Sequence, residues 1–357
     1  MARTGILLIN IGTPDEPTPE AVGRYLREFL MDGYVLDMPY LKRWLLVNRI
    51  IVPRRKTYSA EHYQEVHMKE GSPLMVFTRR FADALSKELS KSAPEYVVEI
   101  GMRYGNPSIS AALTKLKSSG VDRVIAVPLY PQFTQSSFMS AVEETKKQAA
   151  KIDLAHQLSF VPPFYADPGF IKAFAQRVFK SLSNIDVDYL LFSYHGVPVR
   201  HIKQLDPSNH CFSRSDCCEE IVSANQNCYR AQCVATTKAI AKELDLSPDS
   251  YATCFQSQFG KDEWIGPSLE GLLAELPGKG VRKLAVVCPS FVADCLETLE
   301  EIGIRGRTEF KEAGGEELVL VPCLNDDQNW VSALAQLIAQ SANGKTKARS
   351  AAGIQEN

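Results

Sequence analysis

The chain has 357 residues, 45% of them hydrophobic, and a formal net charge of −2. This length allows two domains of ordinary size, and the near balance of charge argues against a nucleic-acid partner. No apolar run approaches the ~18 residues of a membrane span, and the first apolar run, residues 6–11, is too short for a secretory signal, so we expect a cytoplasmic protein.

Strands and helices are predicted to alternate in the first half of the chain. Short apolar runs predict strands at residues 5–11, 96–102, 123–129 and 156–162. Apolar residues at helical spacing predict helices at 18–31, 59–68 and 76–89, and two more that end near residues 116 and 151. This alternation is typical of a parallel sheet with helices on both faces.

Residues 31–56 form a segment of unusual composition. It is rich in Leu, Ile, Val and aromatic residues, and it carries basic residues at positions 42, 43, 49, 54, 55 and 56. Apolar side chains beside basic ones suit a segment that meets lipid headgroups or a large apolar anion. An ordinary helix with one buried face explains the same pattern, so both interpretations stay open.

The second half repeats the alternation after the Pro162–Pro163 pair, which is the predicted domain boundary. Strands are predicted at 188–194, 251–255, 283–288 and 317–322, and helices at 168–182, 233–244, 267–276, 292–302 and 327–341. We therefore predict two doubly wound, Rossmann-like α/β domains, residues 1–163 and 164–341, with a cleft between them and a loose polar tail at 342–357. The chain lacks the glycine patterns of nucleotide-binding loops, so no nucleotide cofactor is expected.

His195 is the strongest catalytic candidate. It follows the apolar run at residues 190–194 and precedes Gly196, so it is expected at the carboxyl end of a buried parallel strand. Ligands bind at that edge of an open α/β sheet. An imidazole, with an ordinary pKa of about 6.5, can take or release a proton near neutral pH. A structural histidine that bonds a neighbouring loop is the alternative.

Four carboxylates follow the strand at 283–288, and we name Asp294, Glu297, Glu300 and Glu301 the acidic row. Glu297 and Glu301 are four residues apart, so they share one face of the predicted helix. Such a row can bind a divalent cation or pass protons. The alternative is a solvated acidic face, with Arg305 pairing with Glu301.

Residues 206–233, which we name the cysteine segment, hold five of the nine cysteines. The five are Cys211, Cys217, Cys218, Cys228 and Cys233. Four thiolates are the ligand set of a [2Fe–2S] cluster, and they also suit structural zinc. A disulfide framework is a poor explanation for an odd cysteine count without a secretory signal. The spacing leaves a cluster, zinc or free thiols open.

Several motifs together resemble the ferrochelatase family. They are LLINIGTP at the start, GSPL at 71–74, GMRYGNP at 101–107, PLYPQ at 128–132, LLFSYHGVP at 190–198, QSQFG at 256–260 and FVADCLETLEEI at 291–302. The resemblance implies two Rossmann-like domains around a porphyrin cleft. It also implies insertion of Fe²⁺ into protoporphyrin IX with release of two protons, the last step of haem synthesis. A coproporphyrin III ferrochelatase and a non-catalytic tetrapyrrole-binding protein are the alternatives.

The resemblance also implies roles for particular residues. His195 matches a histidine that acts as proton acceptor or metal escort, and Glu297 and Glu301 match carboxylates that guide protons or metal. Arg103 and Tyr104 match positions at the edge of the macrocycle, and Tyr130 and Gln132 lie on the matching active-site loop. The implied catalytic residues are thus His195 and Glu297, and the implied Fe²⁺ ligands are His195, Glu297 and Glu301.

Residues 31–56 align with the lip over the cleft mouth in this family, and we name them the lip. The resemblance favours an apolar surface for porphyrin entry there and peripheral contact with the inner face of the membrane, in a monomer or a homodimer. Certain bacterial members bind [2Fe–2S] through internal cysteines, which favours a cluster held by four of the five cysteines in the cysteine segment. Cys217 and Cys218 are adjacent and Cys233 is the least distinctive, so the set of four stays open.

Overall fold

The computed structural model describes residues 3–91, 95–258, 260 and 262–342. Of the predicted tail, residues 343–357 lie outside this range. The described residues contain two four-stranded sheets in which every pairing is parallel. The first sheet contains β1 (Thr4–Asn10), β2 (Tyr96–Met102), β3 (Arg123–Pro128) and β4 (Leu158–Phe160); the second contains β5 (Tyr189–His195), β6 (Tyr251–Gln256), β7 (Lys283–Val287) and β8 (Glu317–Leu320).

Helices flank both sheets. In the N-terminal half they are α1 (Pro19–Leu30), α2 (Tyr40–Leu45), α3 (Val52–Val66), α4 (Pro73–Leu89), α5 (Ile109–Ser118) and α6 (Ser140–Lys151). In the C-terminal half they are α7 (Pro168–Leu182), α8 (Val199–Lys203), α9 (Tyr229–Glu243), α10 (Leu269–Glu275), α11 (Leu296–Leu299), α12 (Arg307–Glu312) and α13 (Gln328–Ala342). Three π-helical segments, Leu46–Ile51, Gln135–Met139 and Glu301–Gly306, continue or precede helices.

The two sheets have the same topology. Their strand orders are β2-β1-β3-β4 and β6-β5-β7-β8, so the first strand of each half lies between the second and third. The prediction of a two-domain α/β fold with eight parallel strands is therefore confirmed. In both halves the carboxyl ends of the two central strands define one sheet edge, which is where such folds bind ligands.

The prediction of one helix over residues 292–302 is wrong in detail. The chain forms only the short α11 and then changes to π-helical hydrogen bonding at Glu301–Gly306. Helix α11 begins late because Cys295 has extended backbone angles and its N–H donates to Thr298 Oγ1 at 3.1 Å. The wider π turn, where residue i bonds residue i+5, commonly occurs at functional sites.

The apolar core continues across the predicted boundary at residue 163. Trp330 on α13 is fully buried and stacks on Phe81 of α4, with ring centroids 5.8 Å apart and planes 14° from parallel. The same core contains Ile6 and Leu8 of β1 and Leu190 and Phe192 of β5. Helix α13 thus packs on the N-terminal half, and the division at residue 163 stays a prediction.

Gly12 brings two strand ends into contact. Its φ is +104°, and a Cβ at this position would lie 1.8 Å from the carbonyl oxygen of Tyr104. Only glycine accepts both conditions. The close approach lets Arg103 and Tyr104 donate backbone hydrogen bonds to Asn10 and Ile11, at 2.8 and 3.0 Å. The residues that follow β2 are therefore fixed beside the end of β1.

Candidate active site

His195 is the last residue of β5, as the sequence predicts, and its backbone is fixed on both sides. Its N–H contacts Ser290 Oγ at 3.3 Å, and the Tyr229 hydroxyl donates to its carbonyl at 2.9 Å. The ring Nδ1 lies 2.7 Å from the Gly196 carbonyl oxygen. A carbonyl only accepts, so this contact assigns the proton to Nδ1. The lone pair is then on Nε2, which can accept a proton or bind a metal.

Glu301 is held by the residues that end β6. Ser257 Oγ donates to Glu301 Oε2 at 2.6 Å, and Gln256 Nε2 lies 3.3 Å from the same oxygen. Gln256 Nε2 also donates to the Glu297 carbonyl at 2.7 Å. Burial raises the pKa of Glu301, and nearby Glu297 raises it further, against the opposing effects of Ser257, His195 and Arg305. Glu301 can therefore hold a proton more readily than an exposed carboxylate.

Two other members of the acidic row, Asp294 and Glu300, are buried, and Glu297 is half-buried. Asp294 is buried and accepts hydrogen bonds from Asn325 Nδ2 at 2.7 Å and Thr298 Oγ1 at 3.0 Å. Glu300 is also buried. Arg305 pairs with Glu301 at 3.6 Å, which is the pair expected for a solvated acidic face. It also pairs with Glu300. The burial of these carboxylates favours a functional row over a surface one.

Tyr25 and Tyr63 of the N-terminal half are half-buried and lie close enough to Glu297 to interact with its charge. Burial raises the pKa of Tyr25 and Tyr63 well above the usual range, and the charge of Glu297 raises both further. Tyr130 is buried too, and its hydroxyl has no hydrogen-bond partner within the described ranges. Neither Tyr25 nor Tyr63 stands out in the sequence as a site residue, because an aromatic residue at helical spacing ordinarily indicates core packing.

Arg103 is engaged with protein groups. Its guanidinium pairs with Asp32 through Nη2 and donates to Ser140 Oγ through Nε at 2.7 Å. The Tyr104 hydroxyl donates to the same Asp32 oxygen at 2.7 Å, and the guanidinium carbon lies 4.4 Å from the Tyr104 ring centroid. Asp32 thus neutralises the Arg103 guanidinium, which the family resemblance places at the edge of the macrocycle. The pair has no net charge, and Arg103 keeps N–H groups that can donate to a further partner.

Gln132 is almost fully buried between the two halves. Its Nε2 donates to Thr236 Oγ1 at 3.1 Å and lies 3.4 Å from the Pro289 carbonyl oxygen. These contacts join the loop after β3 to α9 and to the loop after β7. They favour a positioning role for Gln132, and its direct contact with substrate stays a prediction.

The lip combines both interpretations of its sequence. Its inner face is buried, with Val47 and Val52 packed against Leu30. Its outer face exposes four large apolar side chains, Tyr40, Leu41, Leu45 and Ile50. Within the described residues, no helix is both long and apolar enough to cross a bilayer.

The five cysteines of the cysteine segment are all buried, but they are not equivalent. Cys217 Sγ and Cys218 Sγ are 3.7 Å apart, and Cys228 is close enough to Cys211 and Cys218 to shift the pKa of both thiols. Cys233 interacts with Tyr229 in the core and also with Cys218. Burial raises the pKa of Cys211 to about 11. Among these five described residues, no three sulfurs lie within 4.8 Å of one another.

Donors surround these sulfurs. The Phe212 N–H donates to Cys217 Sγ at 3.3 Å, and Arg230 Nη1 lies 3.3 Å from Cys218 Sγ. Asp206 accepts from the Cys211 N–H at 2.6 Å and fixes the start of the loop. Donors aimed at sulfur favour thiolates, which are the metal-binding form. Cys217 and Cys218 thus have donors that stabilise a thiolate. Ionisation is opposed because burial raises the pKa of Cys217, and the contact with Cys228 together with burial raises the pKa of Cys218.

Sequence comparison identifies relatives over nearly the whole chain. The family model for ferrochelatase matches residues 3–342. The chain is 44% identical to a ferrochelatase of Bdellovibrio bacteriovorus over 338 residues, which cover 95% of this chain and 99% of that protein. It is 45% identical to a ferrochelatase of Pseudomonas fluorescens over 339 residues, covering 94% of this chain and 98% of that protein.

Structural comparison agrees on the fold. SirB from Bacillus subtilis, solved with Fe³⁺, superposes with a TM-score of 0.54 at 11% identity, covering 97% of this chain and 98% of that one. The sirohydrochlorin chelatase SirB in complex with cobalt also gives 0.54 at 11% identity, over 96% and 97% of the two chains. Identity this low supports the fold alone. The sequence relatives carry the assignment further, and the chain belongs to the ferrochelatase family of metal chelatases.

Proposed function

We propose that this protein inserts Fe²⁺ into protoporphyrin IX to give protohaem. The observation that carries the proposal is the pairing of His195, whose Nε2 keeps its lone pair, with the buried carboxylate of Glu301 at the carboxyl edge of the second sheet. Two proton acceptors are what the reaction needs, because the macrocycle loses two protons as the metal enters. The sequence relatives named ferrochelatase support the same conclusion.

The residues divide the chemistry in a consistent way. Nε2 of His195 accepts a proton from a ring nitrogen, and Glu301, whose pKa is raised by burial, accepts the second. Glu297 and Glu301 supply the carboxylate oxygens, and His195 the imidazole nitrogen, that attract Fe²⁺ before insertion. The protons then leave along the acidic row to solvent. Burial of the row strengthens each of these electrostatic interactions.

The N-terminal half is proposed to bind the macrocycle. The aromatic rings of Tyr25, Tyr63, Tyr104 and Tyr130 provide an apolar wall for a flat ring. Arg103 offers its remaining N–H groups to a propionate. Because Asp32 neutralises this guanidinium, protoporphyrin with two carboxylates is favoured over coproporphyrin with four.

The test is anaerobic incubation of the purified full chain with Fe²⁺ and protoporphyrin IX, followed by the porphyrin spectrum. Conversion to the haem spectrum is expected, with a slower reaction on coproporphyrin III measured in parallel. If coproporphyrin III were converted faster than protoporphyrin IX, coproporphyrin III would be assigned as the substrate. Tight porphyrin binding without metal insertion would make the protein a tetrapyrrole carrier.

A [2Fe–2S] cluster is proposed as a resident cofactor, held by Cys211, Cys217, Cys218 and Cys228. The interactions among these four thiols and the donors beside Cys217 and Cys218 support this set, and the contact of Cys233 with Tyr229 favours Cys233 as the spare cysteine. Binding to the group would supply the charge compensation that these buried thiols need to ionise. Insertion of Fe²⁺ transfers no electron, so the group would serve structure or sensing.

Matched serine variants test this ligand set. Cys228→Ser is expected to lose the bound iron and the visible absorbance of the anaerobically purified protein, and Cys233→Ser to keep both. If the purified protein contained zinc and no iron, the cysteines would form a zinc site and the cluster assignment would be wrong. If both variants lost iron and absorbance equally, Cys233 would be a candidate ligand again. If the wild-type protein were colourless and free of metal, the cysteines would be free thiols.

The lip is proposed to form the entrance for the apolar substrate and a contact with the cytoplasmic face of the membrane. Its exposed Leu41 and Tyr40 lie beside basic residues of the same helix, as interfacial segments require. Sedimentation with anionic vesicles tests the contact. Wild-type protein should cosediment, and Leu41→Ser should release it; equal binding of both would remove the lip from this role.

A further inference from the structure

Three side chains meet between the two halves, and we name them the His62 cluster: His62 and Glu65, which have no part in the proposed insertion, and Glu300 of the acidic row. His62 and Glu65 lie one turn apart on α3, and Glu300 lies between α11 and the π-helical segment. His62 Nδ1 is 3.0 Å from Glu300 Oε1 and 3.7 Å from Glu65 Oε2. All three potential ligand atoms lie within 4.8 Å of one another.

These separations fit around a small divalent cation. A metal bound by nitrogen and oxygen at about 2.0–2.2 Å places neighbouring ligand atoms roughly 3.0–3.4 Å apart, in tetrahedral or octahedral geometry. The two His62 distances, 3.0 and 3.7 Å, bracket that range. An imidazole nitrogen and two carboxylates this close need a positive charge among them, which either a proton on His62 or a bound metal ion supplies.

Burial makes the need for a cation stronger. The Glu300 side chain is only 6% exposed. The His62 Nδ1 atom is buried, and no hydrogen bond reaches it from the residues that the structure describes. The Tyr58 ring contacts the imidazole edge-on, with centroids 4.3 Å apart, and limits its rotation. The cluster is thus a preformed set of donors with an unsatisfied nitrogen.

Arg305 is a protein cation beside this set. Its Nε lies 3.5 Å from Glu300 Oε1, and its Nη2 lies 3.6 Å from Glu301 Oε1. Both separations exceed the length of a charge-assisted hydrogen bond, about 2.7–2.9 Å. The Arg305 side chain is 44% exposed, so it can move into solvent when another cation arrives. Arg305 therefore competes for Glu300 without closing the site.

We propose that the His62 cluster binds a divalent metal ion that accepts imidazole and carboxylate ligands, of the class that includes Fe²⁺, Mn²⁺, Co²⁺ and Zn²⁺. The exposed Glu65 gives the ion access from solvent, and the remaining coordination positions hold water. Glu300 belongs to the acidic row and precedes Glu301 directly, so a bound Fe²⁺ lies on that row. The supply of Fe²⁺ from this site rests on the proposed function, whereas metal binding does not.

The experiment uses Mn²⁺ as the probe, because thiolates select softer ions and the cysteine segment then binds little of it. Free Mn²⁺ is measured by electron paramagnetic resonance in the full chain carrying His195→Ala and Glu297→Gln, which removes ligands of the insertion site. One bound Mn²⁺ is expected. Adding His62→Gln or Glu300→Gln removes a direct ligand. The affinity for Mn²⁺ should then fall by at least about tenfold, the loss that follows from changing a residue that only supports a metal ligand.

Two further variants separate the site from general electrostatics. Glu61→Gln removes an exposed carboxylate from the same helix and should leave Mn²⁺ binding unchanged. Arg305→Ala removes the competing cation and should tighten binding. A folded background protein that binds no Mn²⁺, or that binds it equally well without His62 and Glu300, would overturn the proposal, whatever the protein does with porphyrin.

Kinetics then test the supply of Fe²⁺ separately. In the otherwise wild-type chain, His62→Gln should raise the KM for Fe²⁺ more than it lowers kcat, and the KM for porphyrin should stay constant. Loss of Mn²⁺ binding with an unchanged KM for Fe²⁺ would overturn the supply role. Absence of insertion activity in the wild-type protein would instead count against the proposed function, with the Mn²⁺ titration still valid for the site.

Discussion

The two halves of this molecule have the same strand order but use equivalent strand ends for different purposes. The first strand of the N-terminal half, β1, ends at Asn10, a buried residue whose Nδ2 donates to Thr78 Oγ1 at 3.2 Å. The equivalent strand, β5, ends at His195, whose Nε2 keeps a lone pair. An amide does not titrate near neutral pH, whereas an imidazole does. The proposed proton chemistry therefore uses the strand end of the second half.

The second strands of the two halves, β2 and β6, also differ in what the residues at their carboxyl ends contact. The residues after β2, Arg103 and Tyr104, are closed into a neutral network with Asp32. Gln256, at the end of β6, and Ser257 instead hold the carboxylate of Glu301, whose pKa burial raises. We name Arg103, Tyr104 and Asp32 the packed wall, and His195 and Glu301, which carry the proposed chemistry, the reactive wall. Substitutions in the first half should affect binding and stability, and those in the second half turnover.

The largest expected effect comes from the reactive wall. His195→Ala removes the proton acceptor at Nε2, and insertion should fall by about 10²–10⁴-fold, the range of a lost general acid–base group. The measurement is kcat with Fe²⁺ and protoporphyrin IX under anaerobic conditions. Thermal unfolding should change little, since the residue lies at a strand end and is only partly buried.

His156 gives the matched control in the other half. Its side chain is exposed and pairs weakly with Asp153 at 3.9 Å, so His156→Ala should keep full activity. If His195→Ala retained near-normal turnover, proton transfer would have to be assigned elsewhere, and the contrast between the two walls would fail.

The next effect comes from the packed wall. Asp32→Asn leaves the Arg103 guanidinium largely buried without its counter-charge, and breaking such a pair costs about 3–5 kcal/mol. Chemical denaturation should show this loss, and the KM for porphyrin should rise more than kcat falls. The charge-removing pair Asp32→Asn with Arg103→Gln should recover much of the stability, because neither charge then remains uncompensated.

Asp15→Asn provides the control for that experiment. Asp15 is exposed and accepts from Asn106 Nδ2 at 3.0 Å, so its loss should change stability by less than about 0.5 kcal/mol. A kcat defect in Asp32→Asn as large as that of His195→Ala, with KM unchanged, would show that the packed wall also takes part in the chemistry.

The sequence predicts the strands that position this site better than it predicts the contacts between the side chains of the site. The strands follow from short apolar runs between turn residues, and His195 stands out because it ends such a run. The partner of Arg103 is 71 residues away, and that of His62 comes from the other half of the chain. No local pattern encodes such pairs. The π turn at Glu301–Gly306 is likewise set by hydrogen-bond register, which side-chain periodicity does not specify.

The smallest predicted effect tests where the halves meet. His201 on α8 is buried, and its Nε2 lies 3.7 Å from Asp37 Oδ1 of the lip. Arg200 pairs directly with the same aspartate. Burial, together with the charge of Arg200, lowers the pKa of His201 to about 4, with Asp262 opposing. The folded protein therefore disfavours a proton on His201 that the unfolded chain accepts at its ordinary pKa, about 6.5.

The sign follows from this difference. As pH falls from about 6.5 to 4, the unfolded chain gains a proton that the folded protein lacks, and the free energy of unfolding drops by up to about 3 kcal/mol. His201→Gln should remove this acid-dependent loss, and His156→Gln, at an exposed position, should keep it. Denaturation at pH 7, 5.5 and 4.5 measures the slope. Equal slopes in wild type and His201→Gln would mean that His201 is protonated in the folded protein, beside Asp37, and that acid does not loosen the contact between the lip and the reactive half.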